Sequence, residues 1–381
     1  MRRCFQSVAG HAYLVAQAAV VAPEYSLSEL DLAMMARCPD LAEMVLGPYF
    51  IISGRYNPGM LTGTVVEFSG DYCYVELPSG KEVLARKRGR VERAQRDKIR
   101  RAIEQREWER VIAGQEAVGD KVRLGLAGAG QYVIEEVLER ETWLLRRSGS
   151  SMGHYWRRPQ CVVANADQLA VVVAPNPVIR PNVIDRYFLG AIQGGLKPLL
   201  VVNKIDLDAS LLSNTELNNY SDLGYPVFFT QANAGIGLDA LKPILSGKFT
   251  AFCGHSGVGK STILSTLTGF DIAVADVKVK SLKGRQTTAA ARVYNLPGEG
   301  QVVDTPGVRE FGLIHLSWLD VHEYFTDIAE YANQCAFRDC THTHEPDCIV
   351  LQAIAEGRLG KARLDSYAKL RQEADNYKHW E

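Results

Sequence analysis

Gly254-His255-Ser256-Gly257-Val258-Gly259-Lys260-Ser261 is a complete G-x-x-x-x-G-K-[ST] phosphate loop. The loop follows an apolar run, Lys248 to Cys253, which indicates a buried strand. Its three glycines allow the backbone N–H groups to approach phosphates, and a helix starting near Lys260 offers its positive N-terminal end. Lys260 is predicted to reach the outer phosphates and Ser261 a Mg²⁺ ion. The stretch therefore predicts a nucleotide-binding α/β domain.

A second motif, Asn203-Lys204-Ile205-Asp206, precedes the phosphate loop and ends the apolar strand Pro198 to Val202. It has the NKxD form with which GTPases recognise guanine. Asp206 is predicted to accept hydrogen bonds from the guanine N1 and N2 donors, which adenine does not present in that arrangement. Ordinary GTPases carry the two motifs in the opposite order. Because open α/β sheets bind ligands at the carboxyl ends of their strands, the pair predicts one GTP site in a circularly permuted domain.

A third motif, Asp304-Thr305-Pro306-Gly307, follows the apolar pair Val302-Val303. This DxxG form places a carboxylate near the metal and a glycine N–H near the γ-phosphate. Val308 occupies the next position, where many GTPases carry a glutamine that orients water, so intrinsic turnover is expected to be slow. The predicted nucleotide-binding residues are Asn203, Lys204, Asp206, Gly254, His255, Ser256, Gly257, Val258, Gly259, Lys260, Ser261, Thr262 and Asp304.

The composition is that of a globular protein with room for about two or three domains in 381 residues. The formal net charge is −1 and 46% of residues are hydrophobic, so any nucleic-acid binding must be local. Eight cysteines in this length do not form a disulfide framework, which favours a reducing compartment. The amino-terminal stretch faintly resembles a secretory leader, but His11 and Gln17 interrupt it. We therefore predict a cytoplasmic protein without membrane attachment.

The first half of the chain changes character near residue 60. Residues 1–59 are predicted to be an amino-terminal extension, and no function is assigned to them. Residues 60–152 are predicted to form an RNA-binding barrel of the OB type, because short alternating strands are separated by turns. The strands are expected at Cys73 to Leu77, Lys121 to Leu126, Tyr132 to Leu138 and Thr142 to Leu145.

The barrel sequence contains a basic insertion, predicted as a helix over about residues 91–115. Residues 86–110 hold eleven Lys or Arg against five Asp or Glu. Two interpretations stay open: a contact with the RNA backbone, or a solvated helix stabilised by charge pairs four residues apart.

The second half alternates strands with helical segments and predicts a doubly wound α/β domain over residues 153–317. Its strands are expected at Cys161 to Val173, Pro198 to Val202, Tyr225 to Phe229, Lys248 to Cys253, Ala291 to Leu296 and Gln301 to Val303. Residues 318–381 are expected to form a helical domain.

The helical domain contains a cluster of metal-binding residue types, Cys335, Cys340, His342 and Cys348. Three thiolates and one imidazole make a closed tetrahedral zinc site, which is structural because no position is left for water. His344 is an alternative ligand or a hydrogen-bonding partner of a ligand. One structural Zn²⁺ per chain is therefore predicted.

These features together resemble the bacterial small-subunit-dependent ribosomal GTPases of the RsgA/YjeQ type over roughly residues 60 to 381. Further motifs carry the likeness: Ala164-Asn165-Ala166-Asp167-Gln168, Gly284-Arg285-Gln286-Thr287-Thr288, the extension of the DxxG motif to Leu313, and Glu345-Pro346-Asp347 in the zinc cluster. The resemblance implies an OB domain, a permuted G domain and a zinc domain in a monomer. It also implies binding to the immature small ribosomal subunit and its rRNA, with release after GTP hydrolysis that the subunit stimulates.

The catalytic candidates are Gln286, Thr287, Thr288 and Gly307. The family usually shows His where Gln286 stands, so the role of that His cannot be transferred unchanged, although Gln also orients water. The attacking water is therefore expected to be positioned by Gln286, by ordering of the Thr287-Thr288 loop, or by the ribosome.

Three other functions are compatible with parts of the sequence. The chain could be a permuted GTPase acting on a different RNA or on a membrane-bound partner. It could be a non-catalytic scaffold in which the barrel and zinc domain carry the function. It could also be a metabolic kinase, although the Asn203–Asp206 motif has no place in one.

Overall fold

The computed structural model describes residues 61–87, 116–127, 131–147, 159–272, 291–305, 317–337 and 340–378. Several sequence predictions lie outside these ranges. They are the extension 1–59, the basic insertion 91–115 and the catalytic candidates Gln286, Thr287, Thr288 and Gly307, together with Val308.

Five short strands close into the barrel that the alternating pattern predicts. They are β1 (Leu61–Ser69), β2 (Tyr72–Glu76), β3 (Glu82–Lys87), β4 (Lys121–Ala127) and β5 (Gln131–Val137), in the order β1-β2-β3-β5-β4. Cys73, Val75, Val83 and Ala85 point inward and are buried, whereas Leu84, between Val83 and Ala85, is 47% exposed. Inward positions alternate with outward ones because successive side chains of a strand point to opposite faces. The OB-like fold class is confirmed.

The strand expected at Thr142 to Leu145 does not join the barrel. It forms β6 (Trp143–Arg147), which pairs with β7 (Pro159–Ala164) in a separate two-stranded sheet. The barrel is already closed by the pairing of β1 with β4, so no edge is left for a sixth strand. Leu144 of β6 is instead fully buried in the core shared with the α/β domain. The predicted boundary between residues 152 and 153 falls in the connection between β6 and β7.

The long strand expected at Cys161 to Val173 is two strands. β7 ends at Ala164, and β8 (Gln168–Val173) begins after a turn in which Asn165 has φ +56°. The Asn165 amide holds this turn, because Oδ1 accepts from the Glu141 N–H at 2.9 Å and Nδ2 donates to the Gly119 carbonyl at 2.9 Å. The short side chain of Asn tolerates this left-handed conformation. The apolar run from Cys161 to Val173 therefore changes direction at Asn165 and forms two strands.

The central sheet has six strands in the order β10-β9-β8-β11-β13-β12. Its other members are β9 (Lys197–Asn203), β10 (Val227–Thr230), β11 (Phe249–Cys253), β12 (Val293–Asn295) and β13 (Gln301–Asp304). Every pairing is parallel except that of β12 with β13. The chain order reverses between β8 and β11, which is the switch point at which such sheets bind ligands. The doubly wound class is confirmed.

Helices cover the sheet and form the carboxyl-terminal region. They are α1 (Pro181–Gln193), α2 (Thr215–Asp222), α3 (Leu238–Leu245), α4 (Lys260–Thr268), α5 (Trp318–Tyr324), α6 (Thr326–Ala332), α7 (Ile349–Ala355) and α8 (Lys361–Lys378). In the described residues, no helix combines the length and apolar character needed to span a membrane.

A buried polar network joins the α/β domain to the carboxyl-terminal helices. Asp185 of α1 is fully buried and forms an ion pair with Arg363 of α8, which is 5% exposed. The hydroxyls of Tyr220 and Tyr324 also donate to Asp185, at 3.0 and 2.9 Å. Asp327 of α6 accepts from Arg363 as well, at 3.0 Å. Both charges are therefore paired, and the hydrogen bonds of Asp185 converge on Oδ1, whereas its Oδ2 is buried without a hydrogen-bond partner.

Candidate nucleotide site and metal centre

The phosphate loop connects β11 to α4 through two closely packed glycines. Gly254 has φ +142°, and a Cβ there would lie 2.2 Å from the Val172 carbonyl oxygen of β8. Gly259 has φ +97°, and a Cβ there would lie 2.3 Å from Asn203 Nδ2. The loop therefore lies directly against β8 and the end of β9, and only glycine fits at these two positions.

Lys260, the first residue of α4, folds back over the loop. Its Nζ donates to the carbonyls of Gly254 at 2.8 Å and His255 at 3.1 Å. The ammonium is thus held above the backbone groups that face the predicted phosphates, beside the positive end of the α4 dipole. His255 and Ser256 are exposed, and Val258 is buried beneath the loop.

The Asn203–Asp206 motif contacts the phosphate loop, as its predicted membership of the same site requires. Asn203 Nδ2 donates to the Val258 carbonyl at 2.9 Å, and Lys204 Nζ donates to the Gly257 carbonyl at 2.6 Å. Lys204 adopts φ +62°, which turns the chain sharply after β9. Asp206 follows with its side chain exposed, so its carboxylate is accessible to a ligand.

Two residues at the end of β10 support Asn203 and were not identified from the sequence. Thr230 Oγ1 donates to Asn203 Oδ1 at 3.0 Å, and the backbone N–H of Ala232 donates to the same oxygen at 3.1 Å. The side-chain amide is therefore satisfied on both its oxygen and its nitrogen. One feature of the sequence could have identified them. Thr230 and Ala232 follow the predicted apolar strand Tyr225 to Phe229, and its carboxyl end lies at the same sheet edge as the other loops.

The oxygens expected to bind magnesium lie next to each other. Ser261 Oγ donates to Asp304 Oδ2 at 3.2 Å, and Asp304 is 8% exposed. Hydroxyl and carboxylate oxygens are the ligand types that Mg²⁺ accepts, so these residues fit the ion. Thr262, the other predicted residue of this stretch, is the third residue of α4 and is exposed.

Cys335, Cys340, His342 and Cys348 come together in one cluster, with their ligand atoms within 4.8 Å of one another. Cys335 Sγ lies 3.9 Å from Cys348 Sγ, and His342 Nδ1 lies 3.4 Å from Cys348 Sγ and 3.7 Å from Cys335 Sγ. A tetrahedral zinc ion implies about 3.8 Å between sulfurs and about 3.5 Å between nitrogen and sulfur. The cluster therefore fits a closed zinc site.

His342, and not His344, belongs to this cluster. His342 is 3% exposed with φ +58°, whereas His344 is exposed and its Nδ1 lies 2.8 Å from Thr343 Oγ1. Burial, assisted by the nearby Arg371, lowers the pKa of His342 to about 4. The imidazole is therefore neutral at pH 7, which is the form that binds metal.

Comparison with known proteins gives a consistent family assignment. Residues 137–314 match the family described as RsgA GTPase. The chain is 42% identical to the small ribosomal subunit biogenesis GTPase RsgA of Pseudomonas aeruginosa over 253 residues, which are 65% of this chain and 73% of that relative. It is 32% identical to the RsgA of Chlorobaculum tepidum over 312 residues, which are 81% and 97%. The chain belongs to the RsgA GTPase family.

The solved structures agree with this assignment. YjeQ from Thermotoga maritima matches with a TM-score of 0.59 and 29% identity, over 83% of this chain and 98% of that one. The circularly permuted GTPase YloQ has the same fold, with a TM-score of 0.56 over 86% of this chain and 99% of that one, at 22% identity. As an RsgA-family protein the chain is a GTPase, so the kinase and non-catalytic scaffold interpretations are wrong.

A cavity of about 780 Å³ lies beside the phosphate loop of this RsgA-family GTPase. His255 and Val258 line it from the loop, Arg180 and Tyr187 from the region of α1, and Glu373 from α8. The cavity therefore borders both the phosphate loop and the carboxyl-terminal helix α8.

Proposed function

We propose that this RsgA-family GTPase binds the small ribosomal subunit and its rRNA and assists late subunit maturation, with the subunit stimulating GTP hydrolysis. The observation that carries the proposal is the pair of hydrogen bonds from Asn203 and Lys204 to the phosphate loop. This contact unites a guanine motif and a phosphate motif in the permuted order that the resemblance to ribosomal GTPases includes. The ribosomal partner is supported by the names of the relatives, one of which is covered over 97% of its length.

In the proposed site each loop has a separate task. Asp206 recognises guanine, while Asn203 and Lys204 hold the base-binding loop against the phosphate loop. Backbone N–H groups from Gly254 to Lys260, the Lys260 ammonium and the amino end of α4 bind the phosphates. Ser261 and Asp304 would hold Mg²⁺, which supplies positive charge to the phosphate oxygens when bound.

The hydrolytic step is assigned to Gln286, Thr287, Thr288 and the N–H of Gly307. Val308 has no polar atom with which to orient water, so we assign that task to Gln286, to the ordered Thr287-Thr288 loop or to a group from the subunit. We therefore expect GTP hydrolysis to be slow in the isolated protein and faster when the subunit is bound.

We assign a structural zinc ion to Cys335, Cys340, His342 and Cys348. When bound, the ion crosslinks the loop between α6 and α7, because all four ligands come from the residues that join these helices. We further propose that the barrel and the zinc domain contact rRNA, that the protein is a monomer and that it is cytoplasmic. The domain limits 60–152, 153–317 and 318–381 remain those that the sequence predicts.

A turnover assay with purified ribosomal subunits tests this function. GTP hydrolysis by the full chain is measured alone, with small subunits and with large subunits, and Lys260→Ala serves as the inactive control. We expect small subunits to raise kcat and large subunits to leave it unchanged. Equal stimulation by both, or by neither, would contradict the proposed partner and would favour a GTPase that acts on another RNA.

A further inference from the structure

The barrel contacts the central sheet at the sheet's edge strand. β12 has three residues and, within the described ranges, pairs with no strand besides β13. Arg292, directly before β12, forms an antiparallel backbone bridge with Glu67 of β1. A three-residue edge strand makes few ladder hydrogen bonds of its own. Its position therefore depends on what the barrel contributes.

Three barrel carboxylates point at this edge and meet donors from the sheet. Arg292 Nη1 donates to Glu67 Oε2 at 2.6 Å, and Arg292 Nη2 lies 3.4 Å from Glu82 Oε1. Gln301 Nε2 of β13 donates to Glu76 Oε2 at 3.2 Å. The Glu67 side chain is 15% exposed and that of Arg292 is 40% exposed, so their ion pair is partly shielded from water. The planar guanidinium serves two carboxylates at once, which a lysine ammonium does less well.

Apolar residues of the barrel and of β12 belong to one large buried cluster that extends through the α/β domain. Val66 of β1 and Val293 of β12 are buried members of it, and Phe68 and Tyr74 of the barrel pack against it. The ion pairs therefore add a directional constraint to the apolar packing, because one guanidinium shared by two barrel carboxylates restricts the relative position of Arg292 and the barrel.

From this geometry we propose that Arg292 is a positioning residue for GTP hydrolysis, through which the barrel fixes the start of β12. Arg292 comes four residues after Thr288 in the sequence, and the residue that follows it, Val293, pairs with Val303, which directly precedes Asp304. The guanine motif follows β9 and the phosphate loop follows β11, whereas Arg292 precedes β12 and contacts β1. We therefore expect the anchor to act on kcat more than on nucleotide affinity. The inference rests on the proposed assignment of hydrolysis to Gln286, Thr287 and Thr288, and not on the ribosomal partner.

The test compares basal GTP hydrolysis, without any ribosomal component, in variants of the full chain. Arg292→Gln removes the charge shared by Glu67 and Glu82. We expect kcat to fall about fivefold, the rate ratio that corresponds to about 1 kcal/mol of coupling between contacting residues, while KM and the Kd for GTP stay unchanged. Combining Arg292→Glu with Glu67→Arg rebuilds the ion pair in reverse and is expected to restore most of the wild-type kcat.

Arg123→Gln is the matched control. It removes an arginine of similar exposure, 46% against 40%, that pairs with Glu136 within the barrel, so it is expected to keep the wild-type kcat. A wild-type kcat in Arg292→Gln, an equal loss in Arg123→Gln, or no recovery in the charge-exchange variant would overturn the proposal. A parallel series with small subunits tests the proposed function separately, because a wild-type protein that subunits fail to stimulate contradicts the partner and leaves the basal comparison intact.

Discussion

Asp206 differs from its motif neighbours in what its side chain contacts. Asn203 and Lys204 are bonded to the phosphate loop, whereas Asp206 is exposed at the site's edge. Asp206→Asn is therefore expected to weaken GTP binding and its preference over ATP by about tenfold, because it removes one hydrogen bond to guanine worth about 1.4 kcal/mol. Nucleotide competition measures the preference, and the thermal unfolding midpoint is expected to stay unchanged.

Asp208 offers a matched control for this substitution. It is half-buried, and it accepts hydrogen bonds from the backbone N–H and hydroxyl of Ser210 and caps a short helical turn. Asp208→Asn is expected to leave nucleotide preference unaltered. If both variants behave alike, or if Asp206→Asn keeps the wild-type preference, Asp206 does not read the base.

Among single residues, the sequence allowed us to predict site membership only for those whose side chains define a motif. Asn203, Lys204 and Lys260 lie together as their local patterns indicate, because each pattern ends a strand at the same sheet edge. Thr230 and Ala232 belong to no motif because they act by orienting Asn203, and Ala232 does so through its backbone alone. A backbone donor leaves no side-chain signature in a sequence.

At the scale of the secondary-structure elements, the candidate zinc cluster lies in the segment that joins α6 to α7. Cys348 directly precedes α7, and Arg371 of α8 donates to the Cys340 carbonyl at 2.7 Å. Cys348→Ser is expected to release zinc and loosen these helices, since metal binding contributes on the order of 10 kcal/mol to folding in comparable sites. Zinc content and the thermal unfolding midpoint measure both effects.

The paired histidines provide the control for the metal site. His342→Ala is expected to lower zinc content and stability, whereas His344→Ala is expected to alter neither, because His344 is exposed and bonded to Thr343. The reverse ranking would assign the ligand to His344.

The sequence predicted the boundaries of strands and helices where they depend on the local hydrophobic pattern. The predictions were wrong where the boundaries depend on pairing between residues that are distant in sequence. The sequence of β6 predicts one more barrel strand, but β1 pairs with β4 and closes the barrel, so β6 pairs with β7 instead. The apolar run through Asn165 reads as one strand, and the turn depends on partners in Gly119 and Glu141 that are distant in sequence. Which strands pair depends on which sheet edges are still unpaired in the folded protein. A local sequence pattern does not contain that information.

For the whole molecule, the most consequential contact is the ion pair of Asp185 with Arg363, which are 178 residues apart. Burial lowers the pKa of Arg363, but attraction to Asp185 outweighs this and raises it, so the guanidinium stays charged. Asp185→Asn is expected to destabilise the protein by about 3 kcal/mol, because it leaves a buried charge partly uncompensated. Chemical denaturation measures the loss.

The neighbouring pair Arg186–Glu373 joins the same two helices but is more exposed, with side-chain values of 29% and 21%. Arg186→Gln is therefore the matched control and is expected to cost under about 1 kcal/mol. Equal losses in the two variants would mean that burial of the charge does not govern the strength of this junction.

The basic insertion, residues 91–115, carries the prediction of an RNA contact that depends on charge. It lies outside the described residues, and its sequence favours an RNA contact slightly over a solvated helix. If Arg93, Arg96, Arg100 and Arg101 contact phosphates, replacing all four with Gln lowers the slope of log affinity against log salt by about 0.7 to 0.9 for each phosphate that is no longer neutralised. Binding to small subunits is measured across a salt series, and basal GTP hydrolysis is expected to stay unchanged because the nucleotide site is formed by other loops. If the insertion is a solvated helix, the variant keeps the wild-type affinity and slope at every salt concentration. That result would mean that residues 91–115 do not contact RNA phosphates.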